Sequence, residues 1–153
     1  YTRFYEQFFS DTRKEISSIL ELGVGSGASI RMWMEYFPNA LIYGVDQNEV
    51  TGDFGGRVKF HYCDQTDEEA LNAHFHDVKL ELIIDDCSHV QEKTMESLKI
   101  LFPLLQPGGW YVIEDMSKGF LDPAQWAFGN GAAQVHLLED KCGCEIIFIK
   151  KRK

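Results

Sequence analysis

The sequence has no uninterrupted apolar stretch long enough to span a bilayer, and its first residues do not form a secretory signal pattern. Proline is scarce, with 4 residues in 153, and no Pro/Ser-rich linker, internal repeat or low-complexity tract divides the chain. We therefore expect no membrane partner and a single domain over residues 1–153.

Cysteine is equally scarce, and its spacing excludes a disulfide framework. Of the 4 cysteines, Cys142 and Cys144 are separated by one residue and lack the CxxC pattern of zinc or redox sites. We therefore expect reduced thiols, which are typical of the cytoplasm, and a cytoplasmic location.

Positive charge is also in short supply. The chain carries 15 Lys and Arg against 24 Asp and Glu, a formal net charge of −9. An acidic surface repels phosphate backbones, so we expect no nucleic acid partner. The one cationic run, residues 150–153, is interpreted as a solvated chain end. Hydrophobic residues make up 44% of the chain, which is enough for a folded core.

Apolar segments bounded by turn residues predict seven strands, at residues 16–22, 40–45, 58–63, 80–84, 110–113, 133–138 and 145–149. Helical patterns cover residues 2–10, 30–37, 66–76 and about 90–105, and Thr66 with Glu69 forms a capping box. Residues 107–109 are predicted to turn, residues 116–131 to form a loop with one short helix, and residues 140–143 to close a hairpin. This alternation predicts an α/β fold: a doubly wound, seven-stranded, mostly parallel sheet with an antiparallel C-terminal hairpin.

A glycine turn joins the first strand to the helix after it. Residues 21–27 read Glu-Leu-Gly-Val-Gly-Ser-Gly. Glycine lets the backbone turn sharply and come close to a ligand, so Gly23, Gly25 and Gly27 are candidate cofactor contacts. Asp46, at the end of the second strand, is a candidate acceptor for ribose hydroxyls.

The acid before this turn separates two cofactor classes. Dinucleotide sites place a pyrophosphate at the helix N-terminus and prefer G-x-G-x-x-G, whereas this chain has G-x-G-x-G after Glu21. A carboxylate repels a pyrophosphate and suits the ammonium and sulfonium of S-adenosylmethionine. Asp64 and Gln65, after the third strand, are candidates for hydrogen bonds to an adenine edge. A dinucleotide site and a plain packing turn remain the alternatives.

Pairs of acids end the fourth and fifth strands. Asp85 and Asp86 end the fourth, with His89 three residues after Asp86, and Glu114 and Asp115 end the fifth. The carboxyl ends of neighbouring parallel strands face one crevice, where ligands bind. Carboxylates gathered there would repel one another without a cation. The pattern therefore predicts hard oxygen ligands for a divalent ion, beside an imidazole that can accept a proton.

Together these motifs resemble class I S-adenosylmethionine-dependent methyltransferases. More narrowly, they are similar to the metal-dependent sugar O-methyltransferases of the macrocin and mycinamicin type. The resemblance is carried by residues 21–25 (ELGVG), 29–33 (SIRMW), 36–38 (YFP), 64–67 (DQTD), 84–89 (IDDCSH) and 107–115 (PGGWYVIED). It implies the Rossmann-like methyltransferase fold. Cys87 departs from the pattern, since the family usually has glycine there.

The resemblance also implies a set of site residues. It places Mg²⁺ on Asp86, Glu114 and Asp115, with His89 as the general base. It implies contacts to S-adenosylmethionine from the glycine turn and from the strand-end acids Asp46 and Asp64. We place Asp85 either behind the metal ligands or near the cofactor.

The sequence therefore predicts an enzyme that transfers a methyl group from S-adenosylmethionine to a hydroxyl of a sugar or another small natural product, with Mg²⁺ as a second cofactor. An NAD-type Rossmann oxidoreductase and a non-catalytic cofactor-binding domain are the alternatives. The expected partner is a small-molecule hydroxyl acceptor. Association into a homo-oligomer is a further expectation, with the aromatic face of Phe4, Phe8 and Phe9 as the candidate interface.

Overall fold

Seven strands form one sheet in the computed structural model, which describes residues 2–141 and 143–153. They are β1 (Ser18–Leu22), β2 (Leu41–Asp46), β3 (Val58–Tyr62), β4 (Leu80–Asp85), β5 (Leu105–Met116), β6 (Ala132–Glu139) and β7 (Glu145–Lys151). The order across the sheet is β3-β2-β1-β4-β5-β7-β6. The first five strands are parallel, and β7 runs antiparallel to both β5 and β6. The predicted sheet and its antiparallel C-terminal hairpin are confirmed.

Helices cover both faces of this sheet. They are α1 (Thr2–Phe9), α2 (Ala28–Tyr36), α3 (Glu68–Phe75), α4 (Gln91–Leu101) and α5 (Asp122–Gly129). Buried side chains of α1 and α2 pack on one face, and those of α3, α4 and α5 pack on the other. Because side chains alternate along β1, Leu20 and Leu22 point to the face covered by α3, α4 and α5, and Ile19 points to the face covered by α1 and α2. Both faces are therefore covered, as is typical of a parallel sheet.

The strand order creates a crevice between β1 and β4. From β1 the chain proceeds to β2 and β3 on one side, and it then crosses to β4 and β5 on the other. At such a reversal the loops after the two central strands diverge, and ligands bind between them. The glycine turn follows β1 and Asp86 follows β4, so both border this crevice.

The aromatic N-terminal helix belongs to the core. Phe4, Tyr5 and Phe9 are buried, and the Tyr5 ring lies 4.7 Å from Trp33 and 5.4 Å from Phe148, measured between ring centroids. Burying an aromatic side chain stabilises a fold by roughly 1.5–3 kcal/mol. The expectation that this face joins copies of the chain is wrong, because the chain's own sheet and α2 already cover it.

The start of α3 differs from the predicted capping box. The Asp67 side chain accepts a hydrogen bond from the N–H of Ala70 at 3.0 Å and caps the helix. The Thr66 hydroxyl donates to Asp64 instead, so it does not pair with Glu69 as predicted. Aspartate and threonine are both good helix caps, and the Asp64 carboxylate decides between them by engaging Thr66.

The helix before β5 is shorter than predicted. α4 ends at Leu101, a 3-10 turn follows over Phe102–Leu104, and β5 begins at Leu105, so residues 107–109 lie inside the strand. Pro103 explains the early end, because proline has no N–H for a helical hydrogen bond and restricts the residue before it. The pairing of β4 with β5 is irregular between Leu80 and Leu82, where the Pro-Gly-Gly segment is accommodated.

The basic C-terminal run is partly structural. Lys151 Nζ donates to the carbonyl oxygens of Phe102, Pro103 and Leu105 at 3.0, 2.8 and 2.6 Å. Burial lowers the pKa of Lys151. The prediction of a wholly solvated end is therefore wrong at this residue, because the 3-10 turn presents backbone acceptors that a lysine can reach.

The cysteine expectation is tested at two positions. Cys63 and Cys87 are free thiols, and Cys142 lies outside the described residues. A separate expectation concerned membrane spans. Within residues 2–141 and 143–153, the helices all fall short of the length and apolarity that a bilayer crossing needs.

Candidate active site

A cleft of about 590 Å³ opens at the carboxyl ends of β1, β2 and β4. Four residues predicted to contact a cofactor line it, namely Gly23, Gly25, Asp46 and Gln65. Asp86 borders the same cleft, so predicted cofactor and metal residues lie side by side. The volume falls in the range of ~300–1,000 Å³ that is typical of small-molecule sites.

Gly23 lets the glycine turn pack directly on the end of β4. Its φ angle is 83°, a left-handed conformation that favours glycine. A Cβ atom there would overlap the carbonyl oxygen of Asp86 and lie 2.6 Å from the Cα of Cys87. The N–H of Asp86 also donates to the carbonyl of Leu22 at 3.0 Å. The glycine turn therefore packs directly on the backbone of Asp86, the predicted metal ligand.

Gly27 faces Phe54, although its neighbours Ser26 and Ala28 line the cleft. Its φ angle is 80°, and a Cβ atom there would lie 2.6 Å from Cε1 of Phe54. It is not among the residues that line the cleft. The geometry therefore favours a packing role for Gly27 over the cofactor contact predicted from the sequence.

Asp46 holds the glycine turn from the end of β2. Its carboxylate accepts hydrogen bonds from the N–H groups of Val24 and Gly25, both at 3.0 Å, and from that of Asn48 at 2.8 Å. Burial pushes the pKa of Asp46 upward, but these donors outweigh burial and hold the pKa below its ordinary value. Asp46 is therefore ionised at neutral pH, and it lines the cleft as a candidate acceptor.

Asp64 and Gln65 meet the cleft differently. Asp64 accepts hydrogen bonds from Lys93 Nζ and the Thr66 N–H, both at 2.9 Å, and the Lys93 ammonium is the main reason that the pKa of Asp64 falls to about 2. Gln65 is buried, and its side-chain oxygen accepts from the Ser88 N–H at 3.2 Å. Gln65 and Lys93 line the cleft. Asp64 does not line it, but its carboxylate binds Lys93, which does. Sequence reasoning missed Lys93, because an ion pair across 29 positions leaves no local pattern.

Asp85 points into the layer between the sheet and α4. Its carboxylate accepts hydrogen bonds from the Ser97 hydroxyl and, at 3.2 Å, from the Tyr111 hydroxyl. Burial raises the pKa of Asp85 to about 6, against the opposing effect of these donors. Asp85 does not line the cleft, because successive residues of a strand point to opposite faces. A structural role fits better than the predicted cofactor contact.

Glu21 is buried in a cavity that adjoins the cleft. The indole N–H of Trp33 donates to it at 2.8 Å, and the Ser29 hydroxyl donates at 3.0 Å. Burial raises the pKa of Glu21 to about 8, and the carboxylates of Asp86 and Glu114 add to this, although the two donors oppose it. All three acids line this cavity of about 130 Å³. An acidic cavity therefore meets the cleft at Asp86.

Replacing Glu21 by glutamine is expected to remove a pH dependence of stability in metal-free protein. The pKa of Glu21 is raised on folding to about 8. Its contribution to folding is therefore fully present below the ordinary carboxyl pKa and is lost as the pH rises through about 8. On this account Glu21 alone should lower the wild-type free energy of unfolding by roughly 3 kcal/mol between pH 5 and pH 8, in addition to the fall from the other buried acids.

Urea unfolding at both pH values measures the effect. The fall should be smaller by that amount in Glu21→Gln and unchanged in Glu15→Gln, which alters an exposed glutamate. An identical fall in wild type and Glu21→Gln would show that Glu21 is ionised in the folded protein.

Asp86, His89 and Asp115 come together at the ends of β4 and β5. One ligand atom from each lies within 4.8 Å of the others, and Nε2 of His89 is 4.0 Å from Oδ1 of Asp86. His89 and Asp115 have φ angles of 55° and 48°, which residues other than glycine rarely adopt. Strained backbone of this kind is often found at functional sites. In the described part of the chain, this is the one trio of acids and histidines with such geometry.

A β-bulge brings both acids of β5 to this site. β5 pairs with β7 at Ile113–Ile147 and at Met116–Glu145, so three steps along β5 match two along β7. The extra residue falls at Glu114 and Asp115 and breaks the alternation of side chains. Asp115 consequently joins Asp86 in the cluster, and Glu114 reaches Asp86 across the small cavity.

Glu114 lies beside the cluster and is held by α1. The Tyr5 hydroxyl donates a hydrogen bond to its carboxylate. Burial raises the pKa of Glu114 to about 7, which Tyr5 opposes and Asp86 reinforces. Burial likewise raises the pKa of Asp86 to about 6, where His89 lowers it and Asp115 adds to it. Carboxylates crowded in this way are stabilised by a bound cation.

The comparison with known sequences points to one enzyme class. Residues 20–116 match a family described as a methyltransferase domain. The chain is 35% identical over 138 residues to the 8-demethyl-8-alpha-L-rhamnosyl tetracenomycin-C 2'-O-methyltransferase of Streptomyces olivaceus, covering 85% of this chain and 36% of that protein. It is 36% identical over 124 residues to the mycinamicin VI 2''-O-methyltransferase of Micromonospora griseorubida, covering 76% of this chain and 31% of that protein. The chain thus spans about a third of the length of these relatives.

Solved structures share the fold. The MycE methyltransferase from the mycinamycin biosynthetic pathway, in complex with Mg and SAH, matches with a TM-score of 0.83 at 28% identity, covering 99% of this chain and 49% of that chain. A second MycE structure, with Mg, SAH and mycinamycin VI, gives a TM-score of 0.84 at 27% identity. The family match contains the glycine turn and both acid pairs. This chain therefore belongs to the family of methyltransferase domains.

Proposed function

We propose that the chain is the catalytic domain of an S-adenosylmethionine- and Mg²⁺-dependent O-methyltransferase that acts on a hydroxyl of a sugar or another small natural product. The observation that carries the proposal is the cluster of Asp86, His89 and Asp115 at the edge of a cleft built on a glycine turn. Two facts about similar proteins support it. The relatives methylate rhamnosyl tetracenomycin-C and mycinamicin VI, and the MycE structures hold Mg and SAH.

The cleft suits the cofactor. Gly23 and Gly25 present backbone without a side chain, and the ionised Asp46 can accept hydrogen bonds from ribose hydroxyls. Gln65 offers an amide for the adenine edge. Glu21 lines the adjoining small cavity and not the cleft, and its carboxylate would attract the positive charge of the cofactor. When bound, S-adenosylmethionine supplies an electrophilic methyl group on a sulfonium.

The acid cluster suits Mg²⁺. This ion prefers carboxylate oxygen to imidazole nitrogen, so we assign Asp86, Asp115 and the adjacent Glu114 as the residues that would hold it. When bound, Mg²⁺ polarises the acceptor hydroxyl. His89 is then left to accept the hydroxyl proton at Nε2, and the Asp86 carboxylate, 4.0 Å away, stabilises the imidazolium that results.

Transfer of labelled methyl from S-adenosylmethionine to rhamnosyl glycosides tests the proposal, since a rhamnosyl group occurs in the substrate of the Streptomyces olivaceus relative. We expect transfer in Mg²⁺ that EDTA abolishes and excess Mg²⁺ restores. Undiminished transfer in EDTA would contradict the metal role. Calorimetry with SAH and NAD⁺ tests the cofactor, and binding of NAD⁺ without SAH would favour the oxidoreductase alternative.

Several expectations stay predictions for this chain. They are the absence of a nucleic acid partner, association into a homo-oligomer, the cytoplasmic location and the single domain over residues 1–153. The small-molecule acceptor is better supported, because MycE has been solved with mycinamycin VI bound.

A further inference from the structure

Tyr5 occupies a fixed position between the N-terminal helix and the sheet. Its side chain is 2% exposed. The ring lies 4.7 Å from that of Trp33, 5.4 Å from that of Phe148 and 6.0 Å from that of Phe9. Close packing on these sides leaves the ring little freedom, so the position of the phenol hydroxyl is set by the core.

The Tyr5 hydroxyl donates a hydrogen bond to Oε1 of Glu114. Glu114 lies in the β5 bulge directly before Asp115, and it lines the small cavity together with Asp86. It is not itself one of the three residues whose ligand atoms converge within 4.8 Å. Glu114 therefore links α1 to the edge of the cluster.

We propose that Tyr5 is a positioning residue for the Mg²⁺ site: its hydroxyl fixes one oxygen of Glu114 and thereby sets the orientation of this carboxylate beside Asp86. This rests on the proposed function, because it concerns a ligand of the ion named there. A carboxylate held through one oxygen keeps lone pairs on the other for a cation. Partners that orient metal ligands typically contribute ~10–100-fold to metal affinity. α1 would thus strengthen metal binding without contacting the ion.

A purely structural role for Tyr5 predicts that Tyr5→Phe leaves the affinity for Mg²⁺ unchanged. Tyr111 provides the matched control. Buried hydroxyls generally need a hydrogen-bond partner, and Tyr111 is fully buried with its hydroxyl donating to Asp85 at 3.2 Å. That bond also joins a tyrosine to a strand-end carboxylate, but Asp85 does not line the cleft. Tyr111→Phe therefore removes the same kind of bond without altering the site.

Calorimetric titration of the full chain with Mg²⁺ in saturating SAH compares wild type, Tyr5→Phe and Tyr111→Phe. We expect the Mg²⁺ dissociation constant to rise about 10-fold or more in Tyr5→Phe and to stay at the wild-type value in Tyr111→Phe. Equal dissociation constants in wild type and Tyr5→Phe overturn the positioning role alone. Absence of Mg²⁺ binding by the wild-type chain overturns the proposed function as well, so the two failures are distinguishable.

Glu114→Gln supplies a second test through a double-mutant cycle. If Tyr5 acts through Glu114, adding Tyr5→Phe to Glu114→Gln should weaken Mg²⁺ binding by less than about twofold further, because the carboxylate that it orients is already gone. A full additional loss in the double variant overturns the proposal, because it would locate the effect of Tyr5 elsewhere.

Discussion

Gly23→Ala is expected to lower the free energy of unfolding by about 4 kcal/mol. Left-handed backbone costs a residue with a side chain roughly 1–2 kcal/mol, and overpacking costs roughly 1–3 kcal/mol more. The second cost is at the high end here, since the added Cβ meets the backbone of Asp86 and Cys87, which cannot rotate away. Urea unfolding measures the loss.

Gly25→Ala is the matched control in the same turn. Its φ angle is also positive, at 54°, but an added Cβ would meet no atom within 4 Å. This variant should lose only the backbone cost of roughly 1–2 kcal/mol. Equal losses at the two positions would show that the glycine turn does not pack on the end of β4.

Asp86→Asn is expected to reduce methyl transfer by about 10³-fold and, at the same time, to stabilise the metal-free protein. Loss of a metal ligand removes several kcal/mol of charge stabilisation, and ~1.4 kcal/mol corresponds to tenfold in rate. Stability changes in the opposite direction because burial raises the pKa of Asp86 to about 6. Ionisation of Asp86 in the wild type therefore lowers the free energy of unfolding as the pH rises through about 6. After discounting for the partial exposure of Asp86, the loss is roughly 1 kcal/mol near pH 8.

Asp77→Asn is the control for this variant. Asp77 also pairs with a histidine, His76, at 2.9 Å, but both side chains are exposed, and the described residues place no third acid in a cluster with them. It should leave transfer and stability near wild type. Melting temperatures with and without Mg²⁺ complete the test, since Mg²⁺ should raise the wild-type value and not that of Asp86→Asn. An equal Mg²⁺ effect in both would place the ion elsewhere.

The features predicted correctly from the sequence are those with short-range patterns. The strands follow from apolar segments bounded by turn residues, and the glycine turn lies within seven consecutive residues. Asp86 and His89 are three positions apart, so their proximity was readable once the end of β4 was known. The place of Asp115 beside them was predictable because neighbouring parallel strands end at the same edge of the sheet.

The features that were missed depend on side-chain direction or on distant partners. Asp85 and Asp86 looked equivalent in the sequence, but strand alternation sends them to opposite sides. Tyr5 and Glu114 are 109 positions apart, and their contact exists only because α1 returns to the sheet. Asp67 rather than Thr66 caps α3 because Asp64 engages Thr66 first, a competition that local preference cannot resolve.

The bulge in β5 makes the number of residues in that strand as informative as their identity. A chain with one residue fewer between Ile113 and Met116 would match β7 step for step and keep the pleated sheet intact. It would also lose one of the two acids, because Glu114 and Asp115 are the two residues between these positions. Among homologous sequences, a one-residue gap at this point should therefore mark proteins that retain the fold and have lost the chemistry.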